Sequence, residues 1–491
     1  MRRAVRQLRQ LGFLLAIFHS TRAIAAEPAE ADDQPSAEGA PEDEQAKSAR
    51  SPATVSALGE PTAPGAAAKI GDISVSGYLR GGFGASNRKG RMTCFQLATP
   101  GGLVSKYRLG NECEIWSETQ FSLVAYAGDD GTVATVHFMP TVYIPTTYIG
   151  YSPNATTSSP AQYTTSTGAT VSFPNLYVDL RGIPWLAGGT AWVGTRYYKR
   201  ESVYISDFFY WNPSGVGAGV EDIQLGGDLR LSYAVFAVDG EPTATDAGSP
   251  PLPAQLDFGF RNDLQLRGIR PYPGGEFQIG FQYIADYSNH RDANGQSVTH
   301  GGWGITLQHV QKLLGGDNKL AFQYGKGGGT GFGTLSRFYY PDFSLYFAPS
   351  EARMRIVDVL TIQPTAAFGG QAGFVYQYDD LGNSGQKSNW YSTGARLGYA
   401  FTRHAKLLGE VGYDRVDKSN GAKPQGLAKF TIAPAIAAAA GFMSRPELRL
   451  FYTWAVWNET ARTATIDSGR LYTTTNFLSG STFGVQAEAA W

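Results

Sequence analysis

The sequence predicts an all-β fold, a transmembrane antiparallel β-barrel of about 18 strands. Three observations carry this. Segments alternate polar and apolar residues with a period of two, the signature of strands with unlike faces. Charged residues of both signs share one face of single strands, as Arg261, Asp263 and Arg267 do. Aromatic residues gather near the ends of these segments, and the last of them closes on Trp491. A soluble sandwich also alternates, but it hides its apolar face and wets its polar one. Polar faces carrying both signs of charge fit a water-filled lumen better, with the apolar faces turned to lipid.

Composition narrows the field. The 491 residues include 60 Gly, 27 Tyr, 27 Phe and 9 Trp, and only 17% are charged, a profile unlike that of a helical enzyme. The formal net charge of −1 gives nucleic acid nothing to bind. Of the 6 histidines, His137, His290, His300, His309 and His404 are scattered, and the 2 cysteines have no histidines clustered about them, so no metal or other cofactor is expected.

At the N-terminus, Arg2, Arg3, Arg6 and Arg9 precede an apolar run from Leu11 to Phe18 and a small-residue site, Ala23-Ile24-Ala25. Residues 1–25 therefore read as a secretory signal peptide, too short in its apolar run to span a membrane. Residues 26–70 hold nine acidic and three basic side chains and no aromatic residue, so they read as a disordered acidic tail, rich in Ala and Pro and lying in the periplasm. Residues 71–491 carry 33 charges of each sign and form the expected barrel domain.

The strands follow in order. Over Ile73–Arg80, Ile73, Val75 and Leu79 share one face, while Ser74, Ser76, Tyr78 and Arg80 share the other. Over Glu114–Tyr126, Ile115, Phe121, Leu123 and Ala125 oppose Glu114, Trp116, Glu118, Gln120 and Ser122, and Glu118 is expected across from Arg80. Ala191–Arg200, Phe260–Arg267 and Leu448–Trp457 behave alike, as does the stretch from Phe483 to Trp491. Residues 151–172 and Gly325–Gly333 read as turns. The second is glycine-rich without opening a helix, so it reads as a mobile external loop and not as a phosphate cradle. The acid pair Asp379-Asp380 is expected in a turn. No Gly-x-Ser-x-Gly elbow occurs, and by pattern no histidine stands beside a nucleophile, so no enzyme is expected.

The run Ser105-Lys106-Tyr107-Arg108-Leu109-Gly110-Asn111-Glu112-Cys113-Glu114 resembles the maltoporin family of sugar-specific outer-membrane channels. Gly77-Tyr78-Leu79-Arg80 resembles that family's first strand, and Cys94-Phe95-Gln96 its first loop. The block from Ala191 to Asp222, with Arg200, Asp207-Phe208-Phe209-Tyr210-Trp211 and Gly215-Val216-Gly217-Ala218-Gly219, resembles the strand and inward-folded loop that form the constriction. The resemblance implies an 18-stranded homotrimeric barrel in the bacterial outer membrane, passing oligosaccharides such as maltodextrins by passive diffusion. It also implies roles. Tyr78 and Trp116 match an aromatic slide that stacks on sugar faces, and Arg80, Arg108, Glu118, Arg200 and Asp207 match a charged track for hydroxyls. Cys94 and Cys113 match a first-loop disulfide, which suits an exported chain.

Departures accompany the match. Phe209 stands at the narrowest point, where the family carries Tyr. Asp317, Met443 and Ala490 stand where the slide continues with aromatics, and Phe442 could replace one of them only by a register slip that turns it toward lipid. The Trp that a neighbouring subunit contributes has no counterpart; residues 143–172 offer Tyr148, Tyr151 and Tyr163 instead. The preferred sugar is thereby left open.

Overall fold

The computed structural model describes residues 68–88, 90–98, 104–145, 163–164, 169–239, 258–286, 290–291, 295, 297–299, 301–331, 347–382, 386–419, 421–464 and 477–491. The expected signal peptide, almost all of the expected acidic tail, Tyr148 and Tyr151 lie outside them.

Eighteen long antiparallel strands form one closed sheet. They are β1 (Ile73–Ser86), β2 (Glu114–Ala127), β3 (Val133–Pro145), β4 (Thr170–Arg181), β5 (Thr190–Arg196), β6 (Gly215–Gly226), β7 (Leu229–Asp239), β8 (Phe258–Tyr272) and β9 (Gly275–Asp286). The second half comprises β10 (Gly302–Leu313), β11 (Gly316–Gly327), β12 (Ala352–Ile362), β13 (Phe368–Asp380), β14 (Lys387–Ala400), β15 (Ala405–Lys418), β16 (Gln425–Ala437), β17 (Glu447–Trp457) and β18 (Ser479–Ala490). Each pairs with its neighbours in sequence, and β18 returns to β1, with Tyr78 opposite Ala490 and Ser86 opposite Thr482. Closure matters because lipid offers no partner to an open sheet edge. Trp491 completes the seam: its backbone exchanges bonds of 3.0 and 3.1 Å with Gly77, and its ring lies where a Cβ on Gly77 would stand, at 2.2 Å.

Burial is inverted relative to a soluble protein. Along β16 and β17, Phe430, Ile432, Ile436, Leu448, Leu450, Tyr452 and Trp454 face outward and are exposed, whereas Lys429, Thr431, Glu447, Arg449 and Thr453 are buried inside. Exposed Tyr126, Tyr272, Tyr399, Phe401 and Trp491 mark one rim, and Tyr283, Trp303 and Tyr391 the other. Such an apolar band between aromatic rims belongs in a bilayer. Turns at the first rim are mostly short, residues 227–228, 273–274 and 314–315 among them, while those at the other are longer, as 87–113 and 197–214 are. Short turns mark the periplasmic rim.

Two of the longer connections fold into the barrel. The first, after β1, is closed by the Cys94–Cys113 disulfide across 19 positions, a ring worth on the order of 3 kcal/mol in the chain-entropy account. It docks on the inner wall through Leu109 N–H to Glu410 (2.9 Å), Gly110 N–H to Gln486 (3.1 Å) and Tyr107 Oη with Ser392 Oγ (3.0 Å). The Tyr107 ring presses on bare backbone: a Cβ at Gly394 or Gly412 would come within 2.2 or 2.0 Å of it. The second connection, residues 197–214, joins β5 to β6. Together they bury Phe95, Leu97, Tyr107, Ile205, Phe208 and Trp211 against Val357, Val375, Trp390, Leu427 and Trp457 of the wall. The inner wall is thus apolar where these segments dock, a departure from a uniformly polar lumen. Segments brought inside a barrel need a core of their own.

Four local expectations change. The segment beginning at Ala191 leaves the sheet after Arg196, because the chain there turns inward. Arg80 lies opposite Trp116, and Glu118 opposite Tyr78, one pair along from the expected register. Gly325–Gly327 continue β11, and Gly328–Thr330 form a buried 3-10 turn whose Thr330 carbonyl accepts a 2.8 Å bond from Arg353, so this part is no external loop. Asp379 lies within β13, buried, with Arg353 at 2.7 Å.

Candidate functional site

The site is assembled by the segment 197–214. Glu201–Val203 and Phe208–Trp211 pair as a small hairpin around a 3-10 turn, Tyr204–Ser206, and Asp207 ends that turn with φ 55°. Asp tolerates this left-handed geometry better than most residues. The base of the hairpin is held by Glu201, which takes Lys319 of β11 at 2.8 Å and Arg267 of β8 at 3.3 Å. Burial alone would raise the Glu201 carboxyl; Lys319 and Arg267 outweigh it and hold it below the usual carboxylate range. Tyr210 donates to Gln308 of β10 at 2.6 Å, and Ile205 N–H to Gln371 of β13 at 3.1 Å. The tip reaches the seam, where Tyr204 bonds both oxygens of Glu488 at 2.6 and 2.7 Å. The segment therefore touches strands on many sides of the lumen.

Around the tip lies a charge network. Arg80 meets Glu112 (3.2 Å), Glu114 (3.0 Å) and Asp207 (2.8 Å). Lys106 also reaches Glu114, at 3.0 Å. Arg108 bonds Glu112 at 2.7 Å, and its backbone N–H donates 2.9 Å to Ile205, tying the two inward segments together. Arg445 joins Glu488 at 2.9 Å, and Arg449 bonds both Glu447 and Glu488. Burial opposes the charge on Asp207, but Arg80, Arg108 and Lys106 outweigh it and hold the carboxyl at about 2. Burial likewise works against the Arg108 guanidinium, and Glu112 with its neighbours raises it well above its ordinary value.

Tyr78, Trp116, Arg80, Arg108, Glu118, Arg200, Asp207 and Phe209 all come to this region, under different covers. Tyr78 is 7% exposed; its hydroxyl donates 2.8 Å to Glu488 and accepts from Arg108, so it is built into the network. Trp116 stays half-buried, with Tyr143 edge-on at 6.0 Å and Arg80 at 5.9 Å from its ring. Glu118 is buried and accepts 3.2 Å from Tyr197, whose ring carries Arg200 at 3.3 Å. Phe209 is half-buried, 4.6 Å from that guanidinium.

The departing positions add no aromatic ring to this region. Asp317 sits near a hairpin end with Lys312 at 3.4 Å; Met443 packs on the interior apolar cluster; Ala490 is exposed beside the seam. Phe442 is not turned to lipid. It is 3% exposed in the turn before β17, where strand parity does not govern it. Contrary to the sequence pattern, a histidine does stand beside a hydroxyl: Ser122 Oγ lies 2.8 Å from His137 Nδ1, and His137 Nε2 lies 2.9 Å from Asp179. In the sheet Ser122 lies opposite Ser74 of β1 and His137 of β3.

Sequence reasoning missed Tyr204, Glu447, Arg445 and Arg449 as network members. Glu112 and Glu114 lay inside the quoted motif, and Glu488 on the polar face, yet nothing in one chain names partners hundreds of residues away. None of the described residues form a cluster able to hold a metal ion.

Among solved structures, the chain is similar to OccAB1 of Acinetobacter baumannii (9% identity, TM-score 0.44, covering 86% of this chain and 97% of that one). It is similar also to OpdK of Pseudomonas aeruginosa with vanillate (9%, 0.43, 86% and 99%). A third is the trimer form of OmpT, an outer membrane protein of Vibrio cholerae (8%, 0.36, 86% and 100%). The family described as LamB porin matches residues 73–491, across the whole barrel. With a closed eighteen-strand wall, an apolar outer band and a charged lumen, the chain belongs to the LamB porin family and is a porin of the bacterial outer membrane.

Proposed function

We propose that this porin carries neutral oligosaccharides of the maltodextrin kind by facilitated diffusion, as a homotrimer and without catalysing a reaction. One observation supports this above the others. The half-buried ring of Trp116 stands beside the Arg80–Asp207–Glu114 cluster at the tip of the inward segment. An aromatic face next to paired donors and acceptors suits a sugar, whose C–H face stacks while its hydroxyls exchange hydrogen bonds. Transport needs such attraction to be modest and repeated.

A second reading, a general or differently selective porin, has its own support. Asp317, Met443 and Ala490 provide no aromatic continuation, and Tyr78 is covered. Ion current through the protein in a planar bilayer, titrated with maltodextrins, sucrose and glucose, separates the two. Saturable block that strengthens with maltodextrin length is expected, and Trp116→Ala should weaken it more than Tyr78→Ala does. Steady current with every sugar would favour the second reading.

A further inference from the structure

The wall formed by β4, β5 and β6 carries a second polar surface. Glu221 and Asp222 are adjacent in β6, and a regular strand would send them to opposite faces. The register against β7 shifts between Val220 and Ile223, and Asp222 takes φ 57°. This bulge turns both carboxylates to one ammonium: Lys199 Nζ lies 3.6 Å from Glu221 and 2.9 Å from both oxygens of Asp222. Lys199 is itself held at φ 40° where the inward segment begins. Arg196 bonds Glu221 at 2.8 Å, and its guanidinium rests over Tyr177 and Trp192 at 4.6 and 5.0 Å. Those rings fix the guanidinium from behind. Unlike most charges in this lumen, the set stays accessible: the side chains of Arg196, Lys199 and Glu221 are 14%, 12% and 12% exposed, and that of Asp222 is 40%.

We infer that Arg196, Lys199, Glu221 and Asp222 form a second station for the hydroxyls of a neutral saccharide, on the periplasmic side of the inward segment. The station rests on the sugar-porin reading above. Two cations face two anions, so an acidic solute must compete with Glu221 and Asp222, and a basic one with Arg196 and Lys199. A sugar hydroxyl accepts from Lys199 while donating to Asp222, and neither pair has to separate. The axial position follows from register: Glu221 pairs with Thr190, the first residue of β5, and lies toward the end of β6 that runs into the short turn 227–228.

The test is single-channel recording of the intact porin with maltopentaose added to either side, comparing the parent with a Lys199→Met/Asp222→Asn double variant. The substitutions leave net charge unchanged, and unaltered heat-resistant gel mobility establishes folding; Asp222→Asn alone serves if the double variant is unstable. Loss of one hydrogen-bonding pair should slow sugar entry from the periplasmic side about fivefold, with entry from the other side unchanged. Equal entry rates for parent and variant from both sides would overturn the station while leaving a sugar porin. A parent unblocked from either side would overturn the sugar reading, and the station with it.

Discussion

The two walls of the lumen use the same ion pairs for different ends. Along β12–β16 and into β17, Arg353–Asp379 (2.7 Å), Arg396–Glu410 (2.6 Å) and Lys406–Glu447 (2.8 Å) have side chains no more than 1% exposed. The inward segments dock on this side, through Glu410, Ser392 and Gln371. On the side of β1 and β4–β6, Arg80–Asp207 and Lys199–Asp222 keep water contact, with the two carboxylates 23% and 40% exposed. Removing one partner of a covered pair strands a charge without solvent and costs several kcal/mol, whereas an accessible pair is worth little to folding. Covered pairs therefore fix the lumen's shape, and accessible ones remain able to trade hydrogen bonds with a passing solute. Paired charge in a porin lumen is read by its cover, not its geometry.

Breaking a covered cluster, the one at the seam of β17, β18 and β1, should have the largest effect. Glu488→Ala removes the common partner of Tyr78, Tyr204, Arg445 and Arg449, and should cost about 3–5 kcal/mol. Thermal unfolding in detergent checks this, and a melting temperature equal to the parent's would mean that the covered network does not hold the fold.

A smaller effect is expected at the boundary between the two regimes, at Arg80–Asp207. The Asp207 carboxyl is held at about 2, below its unfolded value of 3.8. Its contribution is therefore complete above that unfolded value and disappears as pH falls through 2. It is on the order of 2 kcal/mol before allowance for the partial exposure of Asp207. Current noise recorded against pH should rise in that acid window as the tip of the inward segment loosens, and Asp207→Asn should show the noise already at pH 7. A variant as quiet as the parent at neutral pH would remove Asp207 from the anchorage.

The smallest effect sharpens the accessible end. Lys312, 69% exposed, meets Asp317 at 3.4 Å near a hairpin end, so Asp317→Asn should shift stability by less than about 0.5 kcal/mol. A loss above 1 kcal/mol in a denaturant titration would show that exposure alone does not sort these pairs.

Much of the wall was legible beforehand. Period two placed Tyr78, Arg80, Trp116, Glu118, Arg261, Asp263 and Glu488 on the inner face, because a closed sheet between lipid and water forces that alternation on every strand. The resemblance led to the inward segment and the Cys94–Cys113 bridge. Parity failed where the backbone is irregular. The bulge at Glu221–Asp222 breaks the period, the chain leaves the sheet after Arg196, and Phe442 lies in a turn.

The sequence by itself determined the barrel, its polarity and the residues facing inward, because these depend on local alternation repeated along the strands. Only the tertiary structure decided which inward-facing groups are covered. Tyr78 and Trp116 stand two strand positions apart in pattern, one locked to Glu488 and the other left with an accessible ring. That difference comes from two connections folding back across the lumen. Their docking depends on contacts such as Tyr107 on Gly394 and Tyr204 on Glu488, between residues far apart in the chain, and no local pattern records which distant wall a segment will meet.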